Sequence, residues 1–294
     1  MAHKNLFFFL LFLSMVAWGG SWVNVKVLSS YINAYEMIFL RFLITAITMV
    51  PIIVFLKKSF RIDVKSFGLV VITSVALIAY MNYFFLGTKY GTASLGGAMV
   101  TTLIPIITFV FLVLMRLKSI TRKDMMALIL GALGVSTMLN IWKFDWEHVM
   151  VVHNLYFFLA AILWPIVTIL SSKSTAISPI VFTFYMYLVT VVLVALFFVD
   201  FRSMNLSTTD GVFWFNIACI TLGATTFANT VYFLGIERLG AGEVSSFIFL
   251  VPFSAIGLSA IFLEESISLS MIIGTLMSLY AVKLLNNITF FKQR

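Results

Sequence analysis

Charged residues, cysteine and acidic residues are all scarce in this sequence, and each shortage excludes a class of protein. Only 10% of the 294 residues are charged and 62% are hydrophobic, which excludes an ordinary soluble globular protein. The single cysteine, Cys219, excludes an intramolecular disulfide and is expected to be a buried thiol. The sequence has no Walker-type loop or dinucleotide fingerprint, and its three histidines lack metal-ligand spacing. We therefore expect no cofactor, no metal and no enzyme activity.

Long apolar runs dominate instead, and the mean hydropathy is +1.10. A helix needs about 20 apolar residues to span a hydrocarbon core of about 30 Å. The runs lack the alternating pattern of a membrane barrel, and the first is too long for a signal peptide. The predicted fold class is an all-α integral membrane protein with ten transmembrane helices. Predicted helices 1 to 10 cover 6–28, 35–56, 67–88, 93–115, 125–141, 152–171, 179–199, 212–235, 244–263 and 268–286.

The basic residues are unevenly divided between the two sides of the predicted membrane. Fourteen Lys and Arg lie in one set of alternate loops and termini, against four in the other set: Lys26, Lys89, Lys143 and Arg202. The positive-inside rule then places both termini in the cytoplasm. The formal net charge of +8 is explained by this membrane-facing belt, so we expect lipid and no nucleic acid as a partner.

The two halves of the chain resemble each other. Residues 83–105, "YFFLGTKYGTASLGGAMVTTLIP", resemble residues 231–252, "VYFLGIERLGAGEVSSFIFLVP", and the match aligns Pro105 with Pro252. More weakly, Trp18 aligns with Trp164. The sequence thus predicts repeats over 1–146 and 147–294 with five helices each. Because five is odd, the second repeat enters the membrane from the opposite side, and inverted repeats are typical of secondary transporters.

These motifs also resemble a known family. "WGGSW", "RFLIT", "YFFLGTKYGTAS", "GALGVSTM" and "YFLGIERLGAGEVSSFIFLVPFSAI" followed by "LEESIS" resemble EamA-type members of the drug/metabolite transporter superfamily. The resemblance implies a bacterial inner-membrane protein in which helices 1, 3, 4, 6, 8 and 9 surround a cavity and helices 5 and 10 are peripheral. One departure is Met115-Arg116 at the end of helix 4, where the family commonly has Gly-Glu.

Polar and aromatic residues inside the runs are the candidate site, because polar groups in lipid are costly and usually face inward. Trp18 and Trp164 are interpreted as aromatic walls of a pocket near the membrane midplane. The amides of Asn24, Asn82 and Asn229 are interpreted as polar contacts in the same pocket. Trp142 and Trp146, near helix ends, are expected to be interfacial anchors. The candidate substrate-binding residues are Trp18, Asn24, Tyr80, Asn82, Tyr83, Thr101, Thr102, Trp164, Thr168, Thr225, Asn229, Tyr232, Ser245 and Phe249.

A second set of residues is interpreted as gating or structural. For a single Ser or Thr, a bond from the hydroxyl to its own helix is the favoured interpretation, whereas Gly19-Gly20 are as consistent with close helix packing as with a weakened helix. Glu36 is interpreted as the partner of either Arg41 or Lys26, in a structural ion pair near the outer gate. The gating or structural residues are Gly19, Gly20, Glu36, Arg41, Pro105, Pro165 and Pro252.

The hypothesis is a secondary transporter, most simply an exporter, that moves amino acids, amines or related amphipathic metabolites by alternating access. A passive channel and an intramembrane lipid-modifying enzyme are the alternatives. The single chain is expected to function as a monomer, with dimers through helices 5 and 10 left open. All eleven acids are placed at helix ends or in loops, which favours facilitated diffusion or exchange over proton coupling.

Overall fold

Helices form nearly all of this computed structural model. It describes residues 2–117, 119–143, 150–202, 204, 206–239, 244 and 246–286, and no strand occurs in these ranges. The helices are α1 (Ala2–Leu28), α2 (Ala34–Phe55), α3 (Val64–Tyr90), α4 (Ala93–Leu114), α5 (Arg122–Met138), α6 (Val152–Ser172), α7 (Pro179–Phe197), the composite α8 described below, α9 (Leu250–Phe262) and α10 (Leu269–Asn286). Each follows one of the ten apolar runs.

Several helices begin where a short polar side chain satisfies the free N–H groups of the first turn. Asn33 caps α2 and forms a capping box with Glu36, and Thr121 forms the same arrangement with Asp124 at α5. Asp63, Thr92 and Asp210 cap α3, α4 and α8 in the same way. These polar residues lie outside the apolar runs, and they fix the start of each helix.

Helix α8 is not regular. It is α-helical over Gly211–Ala218, π-helical over Cys219–Phe227 and α-helical again over Ala228–Leu239. A π segment widens the turn and moves carbonyls out of the usual i to i+4 pattern. A short 3-10 helix, Ser246–Phe249, precedes α9, so α9 begins later than the apolar run predicts.

The helix contacts have a two-fold pattern. The contact of α3 with α6 has its counterpart in α8 with α1, α1 with α9 in α6 with α4, and α2 with α8 in α7 with α3. Three further contacts, α4 with α9, α2 with α7 and α5 with α10, map onto themselves, whereas the contact of α4 with α10 has no counterpart of similar extent between α9 and α5. Adding five to a helix number therefore reproduces most of the main contacts, as expected for two five-helix repeats.

The repeats run in opposite directions. Lys26, near the end of α1, donates to the carbonyl of Lys89 at the end of α3, so these two helices end on the same side. Gly91, just after α3, lies against His153 in the first turn of α6. Helix α6 therefore starts where α1 ends, and the two repeats are inverted. The boundary between 146 and 147 itself stays a prediction.

Glycines allow the closest helix contacts. A Cβ on Gly19 would lie 2.5 Å from the Cβ of Ser254 on α9, and one on Gly134 of α5 would overlap Ser278 of α10. Helix α1 remains continuous through Gly19-Gly20. Of the two roles weighed for Gly19, the structure shows close packing. Helices α5 and α10 pack chiefly on each other, at the edge of the bundle.

Within the described residues, seven helices are long and apolar enough to cross a membrane, namely α1 to α4, α6, α7 and α8, the last counted over Gly211–Gly235. Helices α9 and α10 are apolar but shorter, and α5 has 17 residues. A helical fold of multiple membrane spans is confirmed, whereas the number ten stays a prediction.

Candidate functional site

A hydrogen-bonded chain of side chains crosses the middle of the bundle. The indole Nε1 of Trp18 on α1 donates to the carbonyl of Ala224 at 2.9 Å and to Oδ1 of Asn229 at 3.2 Å. Asn229 in turn donates through Nδ2 to the hydroxyl of Tyr187 on α7 at 2.8 Å. The Trp18 ring also lies 5.2 Å from the ring of Tyr232. Three sequence candidates, Trp18, Asn229 and Tyr232, therefore meet.

The π segment of α8 makes this meeting possible. The Ala224 carbonyl that accepts from Trp18 belongs to Cys219–Phe227. In the same segment, Thr225 donates to the carbonyl of Ile220, five residues back. A π segment has one residue more per turn and is frequent at functional sites. It aims both a backbone acceptor and a hydroxyl out of the helix toward α1 and α2.

A second aromatic cluster lies between α3 and α6. The ring of Trp164 is 4.7 Å from Tyr80, with an angle of 51° between the planes. The Trp18–Tyr232 pair has an angle of 49°. Helices α1 and α8 correspond to α6 and α3 under the two-fold pattern, so each repeat contributes one tryptophan and one tyrosine to the two contacts, and both contacts join the repeats. Tyr83 extends the second cluster by stacking near Tyr156 at 5.9 Å.

Arg41 does not form the expected ion pair with Glu36. Its Nε donates to Oγ1 of Thr225 at 3.0 Å, and its Nη1 lies 3.8 Å from Sδ of Met81. The carboxylate of Glu36 accepts instead from the backbone N–H of Asn33 at 2.8 Å. Five residues along a helix is a rotation of about 140°, so the two side chains leave α2 on different faces. The ion-pair prediction is wrong.

The candidate hydroxyls outside α8 bond their own helices. Thr101 donates to the carbonyl of Gly97, Thr102 to that of Ala98, and Thr168 to that of Trp164. This is the structural alternative weighed for Ser and Thr in membrane helices. It leaves Thr225 as the candidate threonine that also accepts a bond from another helix.

The other candidates take scattered positions. Asn24 and Asn82 are half-buried, and neither makes a side-chain hydrogen bond within the part of the chain that the structure describes. Pro105 and Pro165 lie inside continuous helices, and Pro252 lies in the first turn of α9. Gly20 lies near Leu258. Ser245 and the side chain of Phe249 fall outside the described residues.

A polar cluster joins the repeats at the predicted outer end. Nζ of Lys26 donates to the carbonyls of Lys89 and Gly91 at 2.9 and 2.6 Å. The carboxylate of Glu265, which follows α9, accepts from the backbone N–H groups of Ala93 and Ser94, both at 2.8 Å. A carboxylate at a helix N-terminus is favoured by the helix dipole. Sequence reasoning offered Glu36 as a partner for Lys26 or Arg41 and gave Glu265 no role here.

Tyr187 is the main residue that sequence reasoning missed. It is buried on α7, accepts from Asn229 and stacks on Phe42 at 4.6 Å. The resemblance assigned the cavity to helices 1, 3, 4, 6, 8 and 9, whereas α2 and α7 also contribute here through Arg41 and Tyr187. The available signal was a tyrosine inside an otherwise apolar run, since a buried hydroxyl in a membrane helix needs a partner.

The described residues include no group of three His, Cys, Asp or Glu side chains that could hold a metal ion. Cys219 is half-buried at the start of the π segment, so its thiol is less buried than expected.

Comparison with known proteins decides the family. A sequence model of the EamA-like transporter family matches residues 5–140 and, a second time, residues 152–287. The chain belongs to the EamA-like transporter family. The two matches give this EamA-like chain two family domains, and its apolar helices make it a multi-pass membrane protein.

Two further similarities agree with this membership. The EamA-like chain is 23% identical over 261 residues to "Uncharacterized transporter YyaM" of Bacillus subtilis (strain 168), covering 86% of this chain and 84% of that protein. A solved structure titled only "Crystal structure of protein" shares the fold with a TM-score of 0.64 at 14% identity, covering 95% and 96% of the two chains. The EamA-like chain is thus a membrane transporter, and a transporter moves a small molecule across a lipid bilayer.

Proposed function

We propose that this protein is a secondary transporter that exports small organic metabolites, amino acids, amines or related amphipathic compounds, across the bacterial inner membrane. Both termini lie in the cytoplasm, and the two inverted repeats within one chain make the monomer sufficient. Inverted repeats move against each other around a site near the membrane midplane in alternating access. The proposed substrate-binding residues are those that meet between the repeats.

One observation carries this proposal. Each repeat contributes a tryptophan that contacts a tyrosine of the other repeat, Trp18 with Tyr232 and Trp164 with Tyr80, at nearly equal plane angles. Aromatic side chains supply a large contact area with few rotatable bonds. Two such walls facing a shared centre suit an organic molecule with an apolar body.

The test is uptake into proteoliposomes from a pool of metabolites. We expect saturable flux that other members of the pool compete with. Trp18→Ala and Trp164→Ala should reduce kcat/KM at least about tenfold, the equivalent of 1.4 kcal/mol. The matched control is Trp142→Ala, because Trp142 is 55% exposed and donates only to Thr137. Non-saturating flux would favour a channel, and equal losses in all three variants would indicate general folding damage.

Energy coupling follows from the placement of acids. The described carboxylates Glu36, Asp63, Asp124 and Asp210 act at helix starts, so we propose facilitated diffusion or exchange. Glu243 lies outside the described residues. An imposed pH gradient at clamped membrane potential should produce no uphill accumulation. Accumulation that collapses with the gradient and is abolished by Glu243→Gln would contradict this mechanism.

A further inference from the structure

Arg41 is a buried cation in an apolar part of the fold. It lies seven residues into α2, about 10 Å along the helix axis, and only 7% of it is exposed. A charged side chain at membrane depth costs several kcal/mol unless it is paired or hydrogen-bonded. An arginine at this depth therefore needs partners for its charge and for its donors.

The described residues supply no carboxylate as a partner for this charge. An arginine has five N–H donors, and the bonds of Arg41 go to the neutral Thr225 hydroxyl and to the weakly accepting Met81 sulfur. Glu264 is exposed. Six of the carboxylates among the described side chains accept instead at helix or turn starts: Glu36 at Asn33, Asp63 at Ser66, Asp124 at Thr121, Asp200 at Arg202, Asp210 at Phe213 and Glu265 at Ala93.

The surroundings of Arg41 connect it to both aromatic clusters. Thr225, which accepts from Arg41, follows Ala224, whose carbonyl accepts from Trp18. Met81, which Arg41 also contacts, follows Tyr80, whose ring lies against Trp164. An anion on Arg41 would therefore lie close to both Trp–Tyr contacts, whose rings offer an apolar surface for its body.

We propose that Arg41 receives a carboxylate of the transported molecule. The substrates are then small organic monocarboxylates, amino acids among them, and amines without an acidic group are excluded. This inference rests on the proposed transport function and narrows its substrate class. A carboxylate matches the guanidinium fork with two parallel hydrogen bonds. One cation balances one negative charge, which favours a monocarboxylate over a phosphate dianion.

The first experiment uses the wild-type protein and needs no variant to fold. Competitors share a body and differ in the polar group: phenylalanine, 3-phenylpropionate and phenethylamine in one set, and leucine, 4-methylpentanoate and 3-methylbutylamine in the other. They compete with the solute that the pooled uptake screen identifies. We expect the carboxylates to compete at least about tenfold better than the amine of the same set. An amine that competes as well as its carboxylate would overturn the inference and leave transport itself intact.

A second experiment tests Arg41 directly. Arg41→Gln should lower kcat/KM for the carboxylate at least about 30-fold, because a charge-assisted pair is lost. Arg41→Lys should recover part of this loss, since it keeps the charge without the fork. Arg61→Gln, the same change at an exposed loop position, should leave transport unchanged. Equal carboxylate transport by wild type and Arg41→Gln would refute the inference, whereas no saturable flux of any pool member would refute the proposed function as well.

Discussion

The two repeat-related tryptophans differ in a way that a single substitution measures. The Trp18 indole donates two hydrogen bonds through Nε1. Within the described part of the chain, the Trp164 indole makes only ring contacts. Replacing Trp18 by Phe keeps an aromatic ring but leaves the Ala224 carbonyl and Asn229 Oδ1 without this donor. An unsatisfied buried polar group costs about 1–3 kcal/mol. Because Trp18 is only half-buried, we expect the free energy of unfolding to fall by about 1–2 kcal/mol.

Trp164→Phe is the matched control. It removes half-buried ring atoms and no hydrogen bond, so the free energy of unfolding should fall by only about 0.5 kcal/mol. The assay is saturable uptake at equal reconstitution, together with thermal unfolding in detergent. Asn229→Ala combined with Trp18→Phe should cost less than the sum of the two, because the residues share a bond. Equal losses for the two tryptophan variants, or strict additivity in the double variant, would refute this reasoning.

Three further predictions concern the stability of the bundle in detergent. Glu265→Gln should lower the free energy of unfolding by about 1–2 kcal/mol, because the α4 N-terminus loses a charged acceptor; an unchanged Tm would contradict the cluster's role. The hydrogen bond to Asp210 raises the pKa of Tyr31. The stabilisation from this bond should therefore be complete below a pH of about 10 and be lost as the pH rises through the raised pKa. Wild type and Tyr31→Phe should differ in Tm at neutral pH and have the same Tm above the raised pKa. Gly134→Ala should destabilise by about 1–3 kcal/mol through overlap with α10, whereas Gly68→Ala, which meets nothing within 4 Å, should be neutral or stabilising, and similar effects of both would exclude close packing as the reason.

Hydrophobic length predicts the helices well here because membrane helices satisfy their own backbone bonds. The apolar run 152–171 became Val152–Ser172, and 179–199 became Pro179–Phe197. The late start of α9 after Ser246–Phe249 was not predictable, since a 3-10 turn and an α-turn have the same apolar composition. Only seven of the described helices are long and apolar enough to span a membrane. The other helices are short, and composition alone does not distinguish a short apolar helix from a membrane span.

The site was only partly predictable, because its key bonds depend on tertiary contacts. Trp18, Asn229 and Tyr232 were found from the cost of polar groups in lipid. Arg41 was paired with Glu36 because the two are close in sequence, but their directions on the helix differ and Asn33 already uses the carboxylate. In the sequence, Tyr187 is one of several tyrosines inside apolar runs. Only its contact with Asn229, which the structure shows, distinguishes it from the others.

The π segment of α8 connects the cation to the aromatic walls. An α-helix over the same residues would turn Ala224 and Thr225 by about 100° relative to the preceding half, because one residue corresponds to that rotation. The Ala224 carbonyl would then leave Trp18, and the Thr225 hydroxyl would leave Arg41. Since the widened turn is unfavourable by itself, these two bonds stabilise it, one from each of α1 and α2. The four remaining N–H groups of Arg41 belong to Nη1 and Nη2, so a carboxylate can bind there while Nε keeps its bond to Thr225, and the same guanidinium then links the proposed substrate site to the π segment of α8.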